Sequence, residues 1–590
     1  MCCRWGGATM WRRDADRSSD RSSAPVVVDE STPAASTGAR HGTMTVTVRL
    51  HLACARNPTP GLREGDVAVA FDRLALPALA AQGVESHFVD DLLDWKIRME
   101  LEDEVAEVLE RIGQSDDVRA AEVEGYALGD VGRYDLRIGI TDVLRTAHVL
   151  ERALGGRTPT ALSADSGCSE AVLEAAEALT VLEVERSLSK NGRPPALHAA
   201  NQLLRIVSLV RSPSKVRILG VPGAKVYDAF RAVDGRTLRS LGVGVAAFPD
   251  LVGGGAARLA LTRSLPAIVA DRRNGGGTEV VRVRGPVHAR PAADAAVRAV
   301  AERILSSAAR TVRELAPAVR ALDACRSCRA IVLPSTSGAA AQVLKSWAFR
   351  RGLTCAVVQH GIYVFRSWDG GDRDADVLLA WGPGVGEQVG GGPDVRPVGV
   401  PGLVTARRKD ARERRMLIAT TNAPTGSALG MHGFCEAFMD CVVPELEQML
   451  DSGWKVVLRP HPSEDAKRYA ELLGPLAERV EISRTEGLHA QIATSALVVS
   501  SVSSAAVEAA AVGTPVALWL GMPVEARRKY LLTPFDRELP GCFLDAAGFS
   551  ALLDEKDLTG PRKLSEIFRQ YAMPFDAEAF ASALAALDRP

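Results

Sequence analysis

Three short segments carry side chains whose types suit work on one ligand. Gln359-His360-Gly361 closes an apolar run, and Arg459-Pro460-His461-Pro462 closes another. Ser500-Ser501-Val502-Ser503-Ser504 opens a helix-like stretch that carries Glu508 and then Gly513-Thr514-Pro515. An imidazole titrates at roughly 6.5, so His360 can take a proton from an attacking hydroxyl near neutral pH. Arg459 can pair with a phosphate through charge-assisted bonds. His461 sits between two prolines that stiffen the loop and lack N–H donors, and it can donate to the same phosphate as it leaves. Ser503 and Ser504 combine hydroxyls with the N–H groups of a helix start, which serines cap and anions favour. Glu508 falls one turn beyond Ser504, near the same face, where a carboxylate can hold ribose hydroxyls.

Weaker signals surround these three. Thr421 and Thr425 lie in the turn-rich stretch from Thr420 to Gly426, whose N–H groups and hydroxyls can contact phosphates, although it is neither a GxGxxG nor a P-loop sequence. Gln359 and Gly361 belong to the cleft beside His360, the glycine allowing a sharp exit from the strand. Asp372, Asp374 and Asp376 overlap as DxD patterns that can hold a divalent ion, yet their Gly/Asp-rich setting reads as turn acids. Asp372 is kept as a cleft residue and, with Asp369, as the alternative base. No His/Cys cluster has zinc spacing, and no metal is expected. His432 and His489 read as structural, His432 being nearer the cleft. Cys325 and Cys328 form a lone CxxC, read as thiols near a helix end.

The elements that deliver these residues follow from the apolar runs. Cys355–Val358, Val456–Leu458 and Leu497–Val499 are short, apolar stretches, the pattern of parallel strands buried on both faces. Strand-like and helix-like runs alternate along the chain, which predicts βαβ units. Ligands of open α/β sheets bind outside the carboxyl ends of the strands, where all three motifs fall. The fold class is therefore α/β, with two Rossmann-like doubly wound domains facing a cleft. Residues 1–43, rich in Ser, Arg, Asp, Ala and Pro, are expected to be a disordered tail. Residues 46–402 form the N-terminal Rossmann-like domain. Residues 403–415 are a linker with six basic residues within nine positions, and residues 416–590 form the C-terminal Rossmann-like domain. The last helix is in place to pack back on the N-terminal domain.

Bulk properties exclude other classes. The 590 residues exceed a single domain, and 47% hydrophobic content supplies ample core. Lys+Arg 71 against Asp+Glu 72 gives a net charge of −1, so a nucleic-acid polyelectrolyte is not expected. Ten scattered cysteines fit a reducing cytosol better than a secreted framework. No window of about eighteen apolar residues predicts a spanning helix. Arginines and acids interrupt the first residues where a signal peptide would need an apolar stretch.

At the QHG, RPHP and SSVSSxxxE…GTPV segments the chain resembles bacterial surface-polysaccharide transferases of the GT-B fold. That group includes CDP-glycerol glycerophosphotransferases, capsule Kdo transferases and bacterial polysialyltransferases. Asp376…Trp381-Gly382 and Val398-Gly399-Val400-Pro401 fit the same pattern, and the resemblance covers roughly residues 325–520. It implies a glycosyltransferase that moves a sugar from a nucleotide-activated donor to a glycan or lipid-linked glycan, by inverting transfer without a cofactor or an obligatory divalent metal. It assigns the N-terminal domain to the acceptor and the C-terminal domain to the donor nucleotide, with His360 as the acceptor-side base, Arg459 and His461 at the donor phosphate, and Ser503, Ser504 and Glu508 at phosphate and ribose. Gln359 stands where teichoic-acid members tend to carry an aromatic residue, which favours sugar over glycerol phosphate. A cytoplasmic site, with peripheral membrane association, is implied by lipid-linked acceptors. A sugar-nucleotide epimerase or hydrolase on the same fold and a non-catalytic GT-B-like scaffold are the alternatives.

Overall fold

A computed structural model describes residues 47–588 except 55–61, 166–167, 169, 181–183, 187–216, 222–223, 246–280, 324–325, 367–371, 404–413, 422–426 and 484–485. The expected disordered tail and most of the basic linker lie outside the described residues, as do Cys325, Asp369 and Thr425.

Short apolar runs become parallel strands in three sheets. The first contains β1 (Thr47–Ala53), β2 (Val67–Ala70) and β3 (Glu85–Phe88). A two-stranded ribbon of β4 (Glu122–Val123) and β5 (Tyr126–Ala127) follows, and then β6 (Thr158–Ala164) and β7 (Val184–Arg186) complete the first sheet in the order β3-β2-β1-β6-β7. The second sheet is built from β8 (Ile218–Gly220), β9 (Val243–Val245), β10 (Ala330–Leu333), β11 (Thr354–Val358), β12 (Val377–Ala380) and β13 (Asp394–Pro397). Its order is β13-β12-β11-β10-β8-β9, so the direction of winding reverses between β10 and β8. The third uses β14 (Arg415–Ala419), β15 (Lys455–Arg459), β16 (Glu481–Ile482), β17 (Leu497–Ser501), β18 (Val516–Trp519) and β19 (Cys542–Phe543). Its order is β16-β15-β14-β17-β18-β19, reversing between β14 and β17. Ligand crevices of such sheets open at these reversals.

The doubly wound α/β class stands, with a sheet more than the sequence reading gave. Residues 46–402, read as one Rossmann-like unit, hold two sheets. Hydrophobic alternation cannot separate one long sheet from two, because each strand and helix carries the same local pattern.

Three features tie the layers together. Helix Leu128–Leu154 packs on the first sheet and helix Pro291–Leu322 packs on that helix, and one apolar core continues from there into the inner face of the second sheet. The C-terminal helix Ala577–Leu587 returns to the second sheet, where Phe580, Leu584 and Leu587 share a core with Ile218, Phe230 and Val332. Cys54 and Cys168 are joined by a disulfide at the carboxyl edge of the first sheet, between the ends of β1 and β6. That pair departs from the all-thiol expectation drawn from scattered cysteines: their separation of 114 residues hides a closeness that only the parallel β1–β6 register creates. Among the described residues no helix is long and apolar enough to cross a membrane.

Candidate functional site at facing sheet edges

The third sheet reverses beside the serine cluster. Ala419 and Ser500 are register partners, and the Ser500 hydroxyl donates to the Ala419 carbonyl at 2.7 Å. Ser500 Oγ also lies 2.8 Å from Ser503 Oγ, with both serines buried. Ser503 therefore occupies the N-cap position of the helix Ser504–Ala511 without a side-chain capping bond. The expected serine cap is replaced by a serine pair that fastens the strand end to the helix start. The first-turn N–H groups are left to another acceptor, the condition under which a helix N-terminus takes an anion. Ser504 beside them is half-buried.

The RPHP loop is organised by a residue the motif reading missed. Between Pro460 and Pro462 the only N–H belongs to His461, and it donates to the Glu464 carboxylate at 2.7 Å and to the Thr420 hydroxyl at 3.1 Å. Glu464 also accepts from the Thr420 hydroxyl and, at 3.0 Å, from the Cys435 thiol. One carboxylate thus joins the ends of β14 and β15. A lone N–H flanked by two prolines needs an acceptor, and an acid three positions after His461 was the available signal. Burial and the neighbouring Glu464 push the Cys435 thiol up to about 12, so it stays neutral. His461 Nδ1 accepts from the Ser463 N–H at 3.3 Å and lies 2.6 Å from the Ser463 hydroxyl. An Nδ1 that accepts leaves the ring proton on Nε2.

Arg459 is largely spent inside this edge. Its guanidinium donates to the Glu486 carbonyl and, at 2.9 Å, to Gln491 Oε1, bracing β15 against the helix Leu488–Thr494. Burial lowers its pKa below the ordinary arginine value. Thr421 follows β14 and is half-buried.

Glu508 does not stand open for a ribose. It is 3% exposed; its Oε2 accepts from His489 Nε2 at 2.6 Å and its Oε1 from Lys225 Nζ at 3.4 Å. Burial alone would raise its pKa, but the His489 bond and the Lys225 charge outweigh burial and the net shift is down. His489 Nδ1 faces the Gly402 carbonyl at 3.0 Å, so both ring nitrogens face oxygen acceptors. Lys225 lies in the first turn of the helix Ala224–Ala232, which follows β8, with its ammonium 5.2 Å from the Trp381 ring centroid. Glu508 lies in the helix that follows β17. The two helices start at the reversal points of the second and third sheets, so the pair shows that these carboxyl edges face each other. Lys225 carried a faint sequence signal, since a cation in the first turn opposes the helix dipole and calls for a nearby carboxylate.

Across from the serines, the QHG segment splits into parts with different duties. Gln359 is 1% exposed; its Oε1 accepts from the Trp381 N–H at 2.7 Å and its Nε2 donates to the Gly361 carbonyl at 2.8 Å. Trp381 Nε1 donates back to the Gln359 carbonyl at 2.8 Å. Gln359 therefore locks β11 to β12 and takes no place in an open cleft. His360, next in sequence, is exposed, with no hydrogen bond to its ring among the described residues. A Cβ at Gly361 would meet nothing, so this glycine serves no close approach. Asp372 is also committed: it is buried and accepts from Tyr363 Oη at 2.6 Å, the Thr336 N–H at 2.8 Å and Ser335 Oγ at 3.1 Å. Burial raises its pKa despite these bonds. It anchors the loops after β10 and β11, so the alternative-base reading loses its candidate among the described residues. No group of three or more His, Cys, Asp or Glu there is arranged to hold a metal ion.

The structure thus gathers Thr420, Arg459 and His461 at one point of the third-sheet edge and Ser503, Ser504 and Glu508 at its reversal. His360 stands on the second-sheet edge.

No protein-family profile matches the chain, and no curated protein matches it. Solved structures with similarity include S. aureus MnaA with UDP, at 11% identity over 62% of this chain and 94% of that one, TM-score 0.37. MurG of Acinetobacter baumannii shows 14% identity over 62% and 98%, TM-score 0.32. The wall teichoic acid polymerase TagF shows 9% identity over 66% and 93%, TM-score 0.34.

Proposed function

We propose that the chain is a nucleotide-dependent glycosyltransferase of GT-B type whose donor site is the reversal point of the third sheet. The observation that carries the reading is the facing of two sheet edges across the Lys225–Glu508 pair, with an uncapped helix N-terminus on one and a ring-exposed histidine, His360, on the other. The donor diphosphate lies on the first-turn N–H groups of the Ser504 helix, and His461 donates to it from Nε2. An acceptor hydroxyl attacks the donor's anomeric carbon while His360 takes the hydroxyl proton. The bond from that carbon to the phosphate oxygen breaks, and the oxygen's new charge is met by His461 and the helix N-terminus. Arg459, Glu464, Gln359 and Asp372 hold these groups in place. The acceptor is a glycan or lipid-linked glycan.

Thermal shift and calorimetry with CMP, CDP, UDP, GDP and their sugar conjugates test the reading. One nucleotide is expected to stabilise the protein, with the effect lost in His461→Ala. His360→Ala is expected to keep nucleotide binding and lose turnover by roughly a hundredfold or more, as for loss of a general base. Binding that survives His461→Ala unchanged, or no binding by any nucleotide, overturns it.

A further inference from the structure

The first sheet and its helices lie outside the resemblance, yet one of their helices touches the third-sheet side of the candidate site and reaches the His360 segment through Tyr530. Helix Trp95–Gln114 presents Arg98 and Glu102 on one stripe, and Met99 and Asp103 on the adjacent stripe. Each stripe holds a different loop.

The first stripe grips the segment 427–433, which leads from β14 into the helix Phe434–Asp451. Glu102, 1% exposed, accepts from the Ala428 N–H at 2.7 Å and the Ser427 hydroxyl at 3.0 Å. Arg98, 2% exposed, donates to the Gly430 carbonyl at 2.9 Å and to Asp90 at 2.6 Å. Asp90 in turn accepts from the Gly433 N–H at 2.6 Å and the His432 N–H at 3.2 Å. Arg145, from helix Leu128–Leu154, completes the grip by donating to the Ser427 carbonyl at 2.7 Å. These are mainly backbone contacts, and buried charge-assisted bonds to backbone fix a loop's path.

The second stripe grips Tyr530 at the end of the helix Val524–Tyr530. Its hydroxyl donates to the Met99 carbonyl at 2.8 Å and lies 3.0 Å from Asp103 Oδ1, while Lys529 Nζ donates to Asp103 Oδ2 at 2.7 Å. Tyr530 begins a short antiparallel bridge. Its carbonyl accepts from the Arg366 N–H at 2.7 Å, and the Leu532 N–H donates to the Val364 carbonyl at 2.7 Å. Val364–Arg366 is the continuation of the segment that carries His360.

We infer that helix Trp95–Gln114 is a spacer that sets the separation of the His360 loop and the 427–433 loop, with Glu102, Arg98, Asp103 and Tyr530 as positioning residues. The contacts stand by themselves; that the two loops carry acceptor and donor chemistry rests on the proposed function. A layer that contributes no group to the reacting atoms then still governs their alignment, which loop placement alone makes costly to lose.

Hydrogen exchange on the full chain, free and with saturating UDP or CDP, tests this. In the free protein, Glu102→Gln is expected to speed exchange at Ala428 by roughly tenfold, as the bonds from the Ala428 N–H and the Ser427 hydroxyl and the buried ion pair with Arg137 all lose the carboxylate's charge. Tyr530→Phe is expected to speed exchange at Arg366 and Leu532 while leaving β10 and β11 unchanged. Nucleotide is expected to slow exchange at both 427–433 and 364–366 in the wild type. In Glu102→Gln the effect at 364–366 is lost, while protection at 497–504 and nucleotide affinity persist within threefold. A merely structural Glu102 would move all segments together. Should Glu102→Gln fold poorly, Ser427→Ala removes one bond of the same grip and is expected to give the smaller change at Ala428. Exchange at 427–433 unaltered in both variants, or nucleotide protection at 364–366 surviving in Glu102→Gln, overturns the spacer. Absence of any nucleotide effect in the wild type overturns the proposed function, and the free-protein arms still decide whether the helix holds both loops.

Discussion

Lys225 and Glu508 meet across two sheets, and the pair is closer to a buried bond than a surface one, with side chains 17% and 3% exposed. Removing one partner of such a pair leaves the other charge buried and short of a partner. Lys225→Met is expected to cost about 1–3 kcal/mol, less than a fully buried pair because the contact is 3.4 Å and His489 still serves Glu508. Lys225→Arg is expected to recover part of it, read by urea denaturation at pH 7. The same carboxylate gives the stability a pH signature. Its folded pKa lies below the ordinary 4.5, so its contribution is complete above that value and is lost as pH falls below it. Urea midpoints from pH 7 to pH 3 are expected to fall less steeply in Lys225→Met than in the wild type. Gln359 offers a second residue-scale test: Gln359→Ala strands the buried Trp381 N–H, at about 1–3 kcal/mol. Residue types at strand ends marked candidate groups such as His360, Arg459, His461 and Glu508. They did not tell which groups are spent on one another, because Gln359–Trp381, Arg459–Gln491 and Glu508–Lys225 join positions 22, 32 and 283 residues apart.

At the scale of elements, buried strands were legible where three or four apolar residues ran together, as in β10, β11, β15 and β17, whose core positions are buried on both faces. Short or polar-edged strands such as β3 and β13 carry no such run, and only their neighbours make them strands. Val398–Gly402 lies directly ahead of the linker of residues 403–415. In the structure it is a contact: Val400 donates to the Met573 carbonyl at 2.9 Å, and a Cβ on Gly399 would stand 2.2 Å from the Pro574 carbonyl oxygen. Gly399 also has φ +83°, which costs a side chain roughly 1–2 kcal/mol before any clash. Gly399→Ala is therefore expected to push the returning chain away from β13. Limited proteolysis should then cut near residues 570–576 at least several times faster than in the wild type. Cleavage at the wild-type rate would mean the return is held elsewhere.

At the scale of the whole molecule, the order of the chain and the order of the layers disagree at the C-terminus. Helix Ala577–Leu587 comes after the third sheet but belongs to the core of the second, where Phe580 is fully buried against Phe230 with ring centroids 5.4 Å apart. Arg217–Asp588 adds an ion pair at 2.5 Å from the start of β8 to the end of that helix. The last residues thus close the sheet that carries Lys225 and His360, and the edge-to-edge geometry of the site depends on them. A cavity of aromatic size in that core should cost about 3–5 kcal/mol, as for other Phe→Ala changes in packed interiors. Phe580→Ala is expected to lower stability by this amount, with hydrogen exchange rising first in β8, β10 and the helix Ala224–Ala232, while β14 and β17 keep their protection. If the third sheet loosens first instead, the helix is a strut of its own chain neighbours and the layers are less interlocked than its packing implies. If the second sheet loosens first, a substitution near the chain end weakens the Lys225–Glu508 contact from a distance, and any nucleotide affinity should fall with it even though Phe580 lies in the core beneath the second sheet.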